Sequence, residues 1–268
     1  MKRCQVMKTN YHTHHELCGH AVGRAEDYVK EAIRHGMTDL GFSDHAPSQA
    51  IEDVRVRMRY DELPEYIADV RAAQEKHREV ITVHLGLECE YFDTNPSYYR
   101  ELLSQVDYLI LGQHYVHMRN PRHGLLSSFS LRQGEEVVRY ARSIERALQT
   151  PFFSLVAHPD LYMCGYDRFD DAAEEAAHII CEAAKEAGIP LEFNANGMRR
   201  GQVKTSTGWR HPYPVAAFWE IAKATGCQVM LSSDCHEPSL LHDATISEAK
   251  AEMNRLGLSP ITHLTFKR

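Results

Sequence analysis

The densest chemistry in the chain lies near its start, where Tyr11-His12-Thr13-His14-His15-Glu16-Leu17-Cys18-Gly19-His20 holds three imidazoles at an H-x-H-x5-H spacing just after a short apolar segment. Alternate residues of a strand project to one side, so His12 and His14 can close on one cation, at about 2.0–2.1 Å for zinc. His20 then reaches the same place from the following loop. A histidine-rich surface loop would spell the same letters, so the decision rests on the rest of the chain. The further candidates are His45, Glu88, His114, His158 and the pair Asp234 and His236.

These residues need elements to carry them. Short apolar runs alternate with segments of helical spacing, a pattern that implies a parallel sheet. A first strand is expected to end near Tyr11. A helix from Arg24 to His35 carries Tyr28, Val29, Ala32 and Ile33 on one face and stops at Gly36; a second strand covers Thr38 to His45. A helix over about 61–78 precedes a third strand from Val80 to Leu87, and one over Ser97 to Gln105 precedes a fourth from Tyr108 to Gly112. The stretch from Arg119 to Ser130 is polar and broken by Gly and Pro, a loop long enough to serve a site. Helices from Glu135 to Leu148, Asp171 to Ala187, Pro214 to Thr225 and Thr245 to Leu256 separate strands at 152–157, 190–194 and 227–233. A terminal strand is expected over Ile261 to Phe266.

The candidates fall at the carboxyl ends of six different strands: His12 with His14, then His45, Glu88, His114, His158, and Asp234 with His236. Scattered surface histidines would have no reason to do so. In a barrel of parallel strands all carboxyl ends meet at one rim, where such folds place their active sites. Imidazole nitrogens and carboxylate oxygens would thus reach one small volume. Several cations held close repel one another, and Glu88 and Asp234 supply negative charge that neutral imidazoles lack; Glu88 can bridge two ions. A donor set of imidazole and carboxylate without thiolate suits Zn, Mn or Fe. Cys235, between two candidate ligands, points to the other side of the strand and is read as packing.

A chain of 268 residues with 43% apolar content is ordinary for one α/β barrel, and a single domain over residues 1–268 is expected. The net charge is −7 and the Lys and Arg are scattered, so the basic footprint of a nucleic-acid binder is missing and a small substrate is expected. No apolar run reaches the length of a signal peptide or a membrane span, which points to a cytoplasmic protein without a membrane partner. The seven cysteines are odd in number and lack C-x-x-C pairs, as in a reducing compartment.

Taken in order and over the whole length, the motifs resemble those of the PHP family of phosphoesterases, and within it the histidinol-phosphate phosphatases of histidine biosynthesis. His12-Thr13-His14 resembles the first family motif, with His20 in its usual place. Ser43-Asp44-His45-Ala46, Gly86-Leu87-Glu88, Gly112-Gln113-His114, Ala157-His158-Pro159-Asp160 and Ser232-Ser233-Asp234-Cys235-His236 resemble the blocks that follow. The resemblance implies an α/β fold, a distorted (β/α)7 TIM-like barrel, around three divalent metal ions (Zn, Mn or Fe). It implies one ion on His12, His14, Glu88 and Asp234, a second on Glu88, His114 and His158, and a third on His20, His45 and His236. The chain departs from the pattern at Asn10, where the family often has an Asp that could orient His12, and at His15, where it has Thr or Ser.

The activity implied is hydrolysis of a small phosphate ester, L-histidinol phosphate, to L-histidinol and phosphate. A water bridging two cations loses its proton near neutral pH and can stand in line with phosphorus, so no protein nucleophile is required. Asp160 is a candidate to assist the leaving group. Arg199, in the polar loop after the sixth strand, resembles the phosphate-binding arginine of the family, whose fork matches two phosphate oxygens. Arg200 is its rival, and Arg168, after the fifth strand, a second clamp. The alternatives are a PHP phosphoesterase for another small ester, such as a nucleotide or sugar phosphate, and a non-enzymatic metal-binding module.

Overall fold

In the computed structural model, which describes residues 7–51, 55–92, 95–118 and 124–267, strands and helices alternate as the spacing predicts. In chain order they are β1 (Thr9–Asn10), α1 (Ala25–Arg34), β2 (Asp39–Phe42), α2 (Leu63–His77), β3 (Thr82–Cys89), α3 (Pro96–Leu103) and β4 (Tyr108–Leu111). A hairpin of β5 (Tyr115–His117) and β6 (Leu125–Ser127) follows, then α4 (Gly134–Leu148), β7 (Phe153–Val156), α5 (Asp171–Ala187) and β8 (Leu191–Asn194). A short α6 (Asn196–Arg199) and a hairpin of β9 (Val203–Thr205) and β10 (Gly208–Arg210) lead to α7 (Ala216–Thr225), β11 (Val229–Ser232) and α8 (Ala244–Leu256).

Seven strands form one parallel sheet in the order β1-β2-β3-β4-β7-β8-β11. Its two edges meet at the carboxyl end, where Asp234 N donates to His12 O and His14 N donates to Cys235 O, both at 3.0 Å. The sheet is therefore nearly closed into a barrel. Strands covered on both faces read as continuous apolar runs, as in β4 and β7, whose residues are all buried. Inside the barrel, Tyr11, Tyr108, Ile110, Leu155 and Met230 form a small core, while the larger core lies between the strands and the helices. Tyr108 can cross the interior because residues 41 and 86 are glycines: a Cβ at either would meet its ring or hydroxyl within 2.5 Å. Its hydroxyl lies 2.8 Å from Tyr11 O and 3.0 Å from Phe42 O, tying the first strands to the fourth.

The helix ends follow local chemistry. Asp170 caps α5 through Ala173 N, and Gly188 closes it with φ 64°, a conformation suited to glycine. Three expectations change. Residues 261–266 form no strand; only Ile261 pairs, with Met230 of β11. The apolar residues here serve packing instead: Leu264 enters the inner core and Phe266 stacks on Tyr108 at 4.7 Å, while Thr9 Oγ1 donates to Thr262 O across the seam between β1 and β11. Strand β3 runs two residues further than expected and so contains Glu88. Of the expected 119–130 loop, 119–123 lie outside the described residues, and the rest supplies β6 and a 3-10 turn at Ser128–Ser130. Among the described residues, no helix is long and apolar enough to cross a membrane.

Candidate metal centre

The nine candidate ligands gather at the carboxyl rim. Parallel bridges between Thr13 and Cys235 and between His45 and Glu88 extend the sheet past its strands and hold the neighbouring side chains in register. His12 Nε2 lies 3.0 Å from His14 Nε2, and each lies 3.4 Å from Glu88 Oε2; Asp234 Oδ1 stands 3.4 Å from the first and 3.3 Å from the second. The other oxygen of Glu88, Oε1, faces His158 Nε2 at 2.9 Å and His114 Nε2 at 3.3 Å. His45 Nδ1 comes within 3.0 Å of Glu88 Oε2. The rings of His20 and His236, 4.5 Å apart, close the outer side next to His14 and His45. His158 and Asp234 adopt φ values of 30° and 48°, backbone strain of the kind that functional sites retain.

Elementary chemistry asks for cations among these atoms. Two ligands on one ion at about 2.0–2.2 Å stand roughly 3.0–3.5 Å apart, the spacing found here. His12 Nδ1 gives its proton to Glu192 Oε1 at 2.7 Å, and His114 Nδ1 to Glu90 Oε1 at 3.0 Å. Each Nε2 therefore presents a lone pair, and lone pairs facing carboxylate oxygens or one another repel unless a positive charge lies between them. Glu88 Oε2 and His236 Nε2 are buried with no hydrogen-bond partner. The buried trios His12/His14/Asp234, His12/Glu88/His158 and His45/Glu88/His114 each converge closely enough to share one ion. The donor set fits divalent metal.

The electrostatics agree. Burial pushes the His45 imidazole down to about 3 against the pull of Glu88, and burial also drives His236 well below its ordinary value, which leaves neutral rings able to ligate. Burial would raise Glu88 and Asp234, but the surrounding imidazoles hold both well below the usual carboxylate range. At His12 the carboxylates of Asp234, Glu192 and Glu88 outweigh burial and raise the pKa, the signature of a field that draws positive charge to this point.

The rim opens into a cavity of about 320 Å³, walled beyond the ligands by Arg57, Tyr115, Phe129, Asn196, Arg200 and Tyr213. A larger cavity of about 730 Å³, bounded by Met163, Phe169, Val215 and Ala251, contains none of the candidate ligands. The candidate substrate residues separate on this geometry. Arg200 lines the 320 Å³ cavity, its guanidinium carbon 5.2 Å from the Phe129 ring and 6.0 Å from that of Tyr213. Arg199 turns away from it. Its guanidinium is consumed by Asp243 at 2.8 and 3.1 Å, by Ser233 O and Oγ, and by Leu240 O. Arg168 is exposed and bound to Asp170 at 2.7 Å, outside the cavity. Asp160 is buried behind the site, where Oδ2 accepts from Val215 N at 2.6 Å and burial pushes its carboxyl up to about 7. It does not line the cavity, so it has no path to a leaving group there.

Sequence reasoning missed the carboxylates behind the ligands. Glu192 takes the orienting position for His12 that Asn10 leaves vacant; Asn10 instead donates to His12 O at 3.0 Å and Thr13 Oγ1 at 2.6 Å. Glu90 holds His114 and is itself held by Arg57 at 2.7 Å. His15 is buried with Nδ1 2.8 Å from Asp44 Oδ2, a packing role. Cys235 is buried in the outer core, as its phase on the strand predicts. The available signal for Glu192 was a carboxylate set between the apolar Leu191 and Phe193.

Comparison with known proteins bears on the whole arrangement. The family model of the PHP domain matches residues 10–196. The "Probable histidinol-phosphatase" of Deinococcus radiodurans is 30% identical over 237 residues, 85% of each chain, and that of Schizosaccharomyces pombe is 22% identical over 294 residues, 95% of this chain and 89% of the other. A crystal structure of histidinol phosphate phosphatase from Lactococcus lactis, complexed with zinc, L-histidinol and phosphate, matches with a TM-score of 0.69 at 18% identity over 96% of both chains, and has the same fold. With the matched span running through seven of the nine rim residues, from His12 to His158, this chain belongs to the PHP domain family.

Proposed function

We propose that this chain is a metal-dependent phosphomonoesterase that hydrolyses L-histidinol phosphate to L-histidinol and phosphate with three divalent ions. The observation that carries the reading is the convergence of imidazoles, two carboxylates and the Arg200 guanidinium on a single cavity of about 320 Å³, a size suited to a small ester. The two curated relatives named above carry the corresponding name, and the Lactococcus protein binds L-histidinol and phosphate. Glu88 supports a bridging role because its two oxygens face different ligand groups. His12, His14 and Asp234 would hold one ion, His114 and His158 a second, and His20, His45 and His236 a third.

When bound, the ions supply the Lewis acidity that the phosphoryl oxygens and an attacking water require. The chain supplies the rest. Arg200 presents a guanidinium fork to two phosphoryl oxygens, stiffened by the faces of Phe129 and Tyr213. Phe129 and Tyr115 offer aromatic walls for the imidazole of the alcohol and exclude water from the phosphoryl side. Glu90 and Glu192 keep the ligand rings in the tautomer that presents Nε2.

The test is product identification. Protein of known metal content is incubated with L-histidinol phosphate, and phosphorus NMR follows inorganic phosphate while chromatography follows L-histidinol. Equal appearance of both products, lost on chelation and regained on adding zinc or manganese, is expected. Release that persists in the metal-free protein, or no release from the reloaded one, contradicts the proposal.

A further inference from the structure

Glu192 lies in the middle of β8, between Leu191 and Phe193, fully buried inside the barrel. A buried carboxylate is costly unless its oxygens are well supplied with donors, and here three donors converge. Oε1 accepts from His12 Nδ1 at 2.7 Å; Oε2 accepts from the His158 backbone N–H at 2.9 Å and from Asn194 Nδ2 at 2.7 Å. Asn194 Nδ2 spends its second hydrogen on Asp234 Oδ2 at 3.0 Å. The orientation of that amide is fixed, because its oxygen accepts from Asn196 N at 2.8 Å and Gly197 N at 3.3 Å.

We infer that Glu192 is a positioning residue that keys three ligands at once: the ring tautomer of His12, the backbone of His158 and, through Asn194, the direction of Asp234. The inference rests on the metal-centre reading but not on the identity of the ester. It explains why an acceptor with no hydrogen of its own occupies the position. A glutamine there has one oxygen for three donors. If that oxygen served His158 and Asn194, its amide nitrogen would face His12 Nδ1, which would have to become the acceptor. The His12 proton would then move to Nε2, the atom that faces His14 at 3.0 Å, and the ring could no longer ligate. The opposite amide orientation sets N–H against the donors of His158 and Asn194.

The same geometry predicts selective damage. The groups His12/His14/Asp234 and His12/Glu88/His158 contain the keyed ligands, whereas His14/His45/His236 and His45/Glu88/His114 contain none whose proton or direction Glu192 sets. Glu192→Gln should therefore weaken some zinc equivalents by about 10–100-fold, the range for a partner behind a metal ligand, and spare at least one. Glu192→Asp, which remains acceptor-only, should recover part of the loss.

The experiment titrates the metal-free wild type and both variants in zinc buffers, follows cobalt-loaded samples by visible absorption, and checks the fold of each metal-free protein by circular dichroism. Split affinities in a folded Gln variant, an altered cobalt spectrum and partial rescue by Asp are expected. Wild-type affinities in the Gln variant, or uniform weakening of every equivalent, overturn the inference. If the Gln variant does not fold, long-range proton–nitrogen NMR of zinc-loaded wild type decides: His12 protonated at Nδ1 and metal-bound at Nε2 supports the role, and the reverse overturns it. None of these readouts uses turnover, so a different substrate would leave them unchanged.

Discussion

Replacing Arg200 with Ala should cost far more turnover than stability, and replacing Arg199 with Ala the reverse. Arg200 borders the cavity and rests on Phe129 and Tyr213. A fork donating two charge-assisted hydrogen bonds to a phosphoryl group in a partly desolvated cavity contributes about 3–4 kcal/mol. At 1.36 kcal/mol per decade this is roughly a 150- to 900-fold loss in kcat/KM. Arg199 spends its donors within the protein, on Asp243, Ser233 and Leu240. Its removal takes the charged partner from a carboxylate that is 20% exposed and the guanidinium donor from Ser233 O. The cost is about 2–3 kcal/mol, a drop of roughly 5–10 °C in Tm, with kcat/KM of the folded enzyme within about tenfold of wild type. The assay pairs steady-state phosphate release with thermal unfolding of both variants at fixed metal content. A larger kcat/KM loss for Arg199→Ala than for Arg200→Ala, at an unchanged Tm, would refute the reasoning and return the phosphate role to Arg199.

Glu88→Ala and His158→Ala should each abolish measurable turnover while the metal-free proteins keep their circular dichroism; near-normal activity in a verified variant would place the site elsewhere. Gly112→Ala should displace Glu88, since a Cβ would lie 1.9 Å from its Oε1; metal analysis should find fewer bound ions, and full occupancy would contradict the packing. The acid side of stability should report the Arg199–Asp243 contact. Burial would raise the Asp243 carboxyl, but the hydrogen bonds and charge of Arg199 hold it below its ordinary 3.8. A depressed carboxyl binds fewer protons when folded, so its contribution is present above about pH 4 and is lost as the pH falls through the folded value. The Tm gap between wild type and Asp243→Asn should thus be open at pH 7 and narrow near pH 3, and a gap that widens in acid would contradict the sign.

The candidate ligands other than His20 were legible in the sequence because each follows an apolar run with a residue type that an exposed turn does not need, and a parallel barrel brings such ends together. The residues behind them were not. Glu192, inside β8, and Glu90, just past the end of β3, look like ordinary polar positions until the closure of the sheet shows which side of each strand faces inward. Asn10 lacks the orienting carboxylate, and the replacement for His12 comes from a residue 180 positions further along the chain than His12. The choice between Arg199 and Arg200 depended on the phase of the short α6, where one residue is about 100° of rotation; spacing alone does not set that angle. The 261–266 segment has the apolar content of a strand, but the nearly closed sheet leaves it only the seam between β1 and β11, where it pairs at Ile261 and packs elsewhere.

The account stands most directly on substrate selectivity. The measurement is kcat/KM for phosphate release by one metal-defined preparation from L-histidinol phosphate, nucleoside monophosphates and sugar phosphates. A value for L-histidinol phosphate orders of magnitude above the rest is predicted. A flat profile, or one weighted toward nucleotides or sugars, would contradict the assignment to L-histidinol phosphate while leaving the metal phosphoesterase in place.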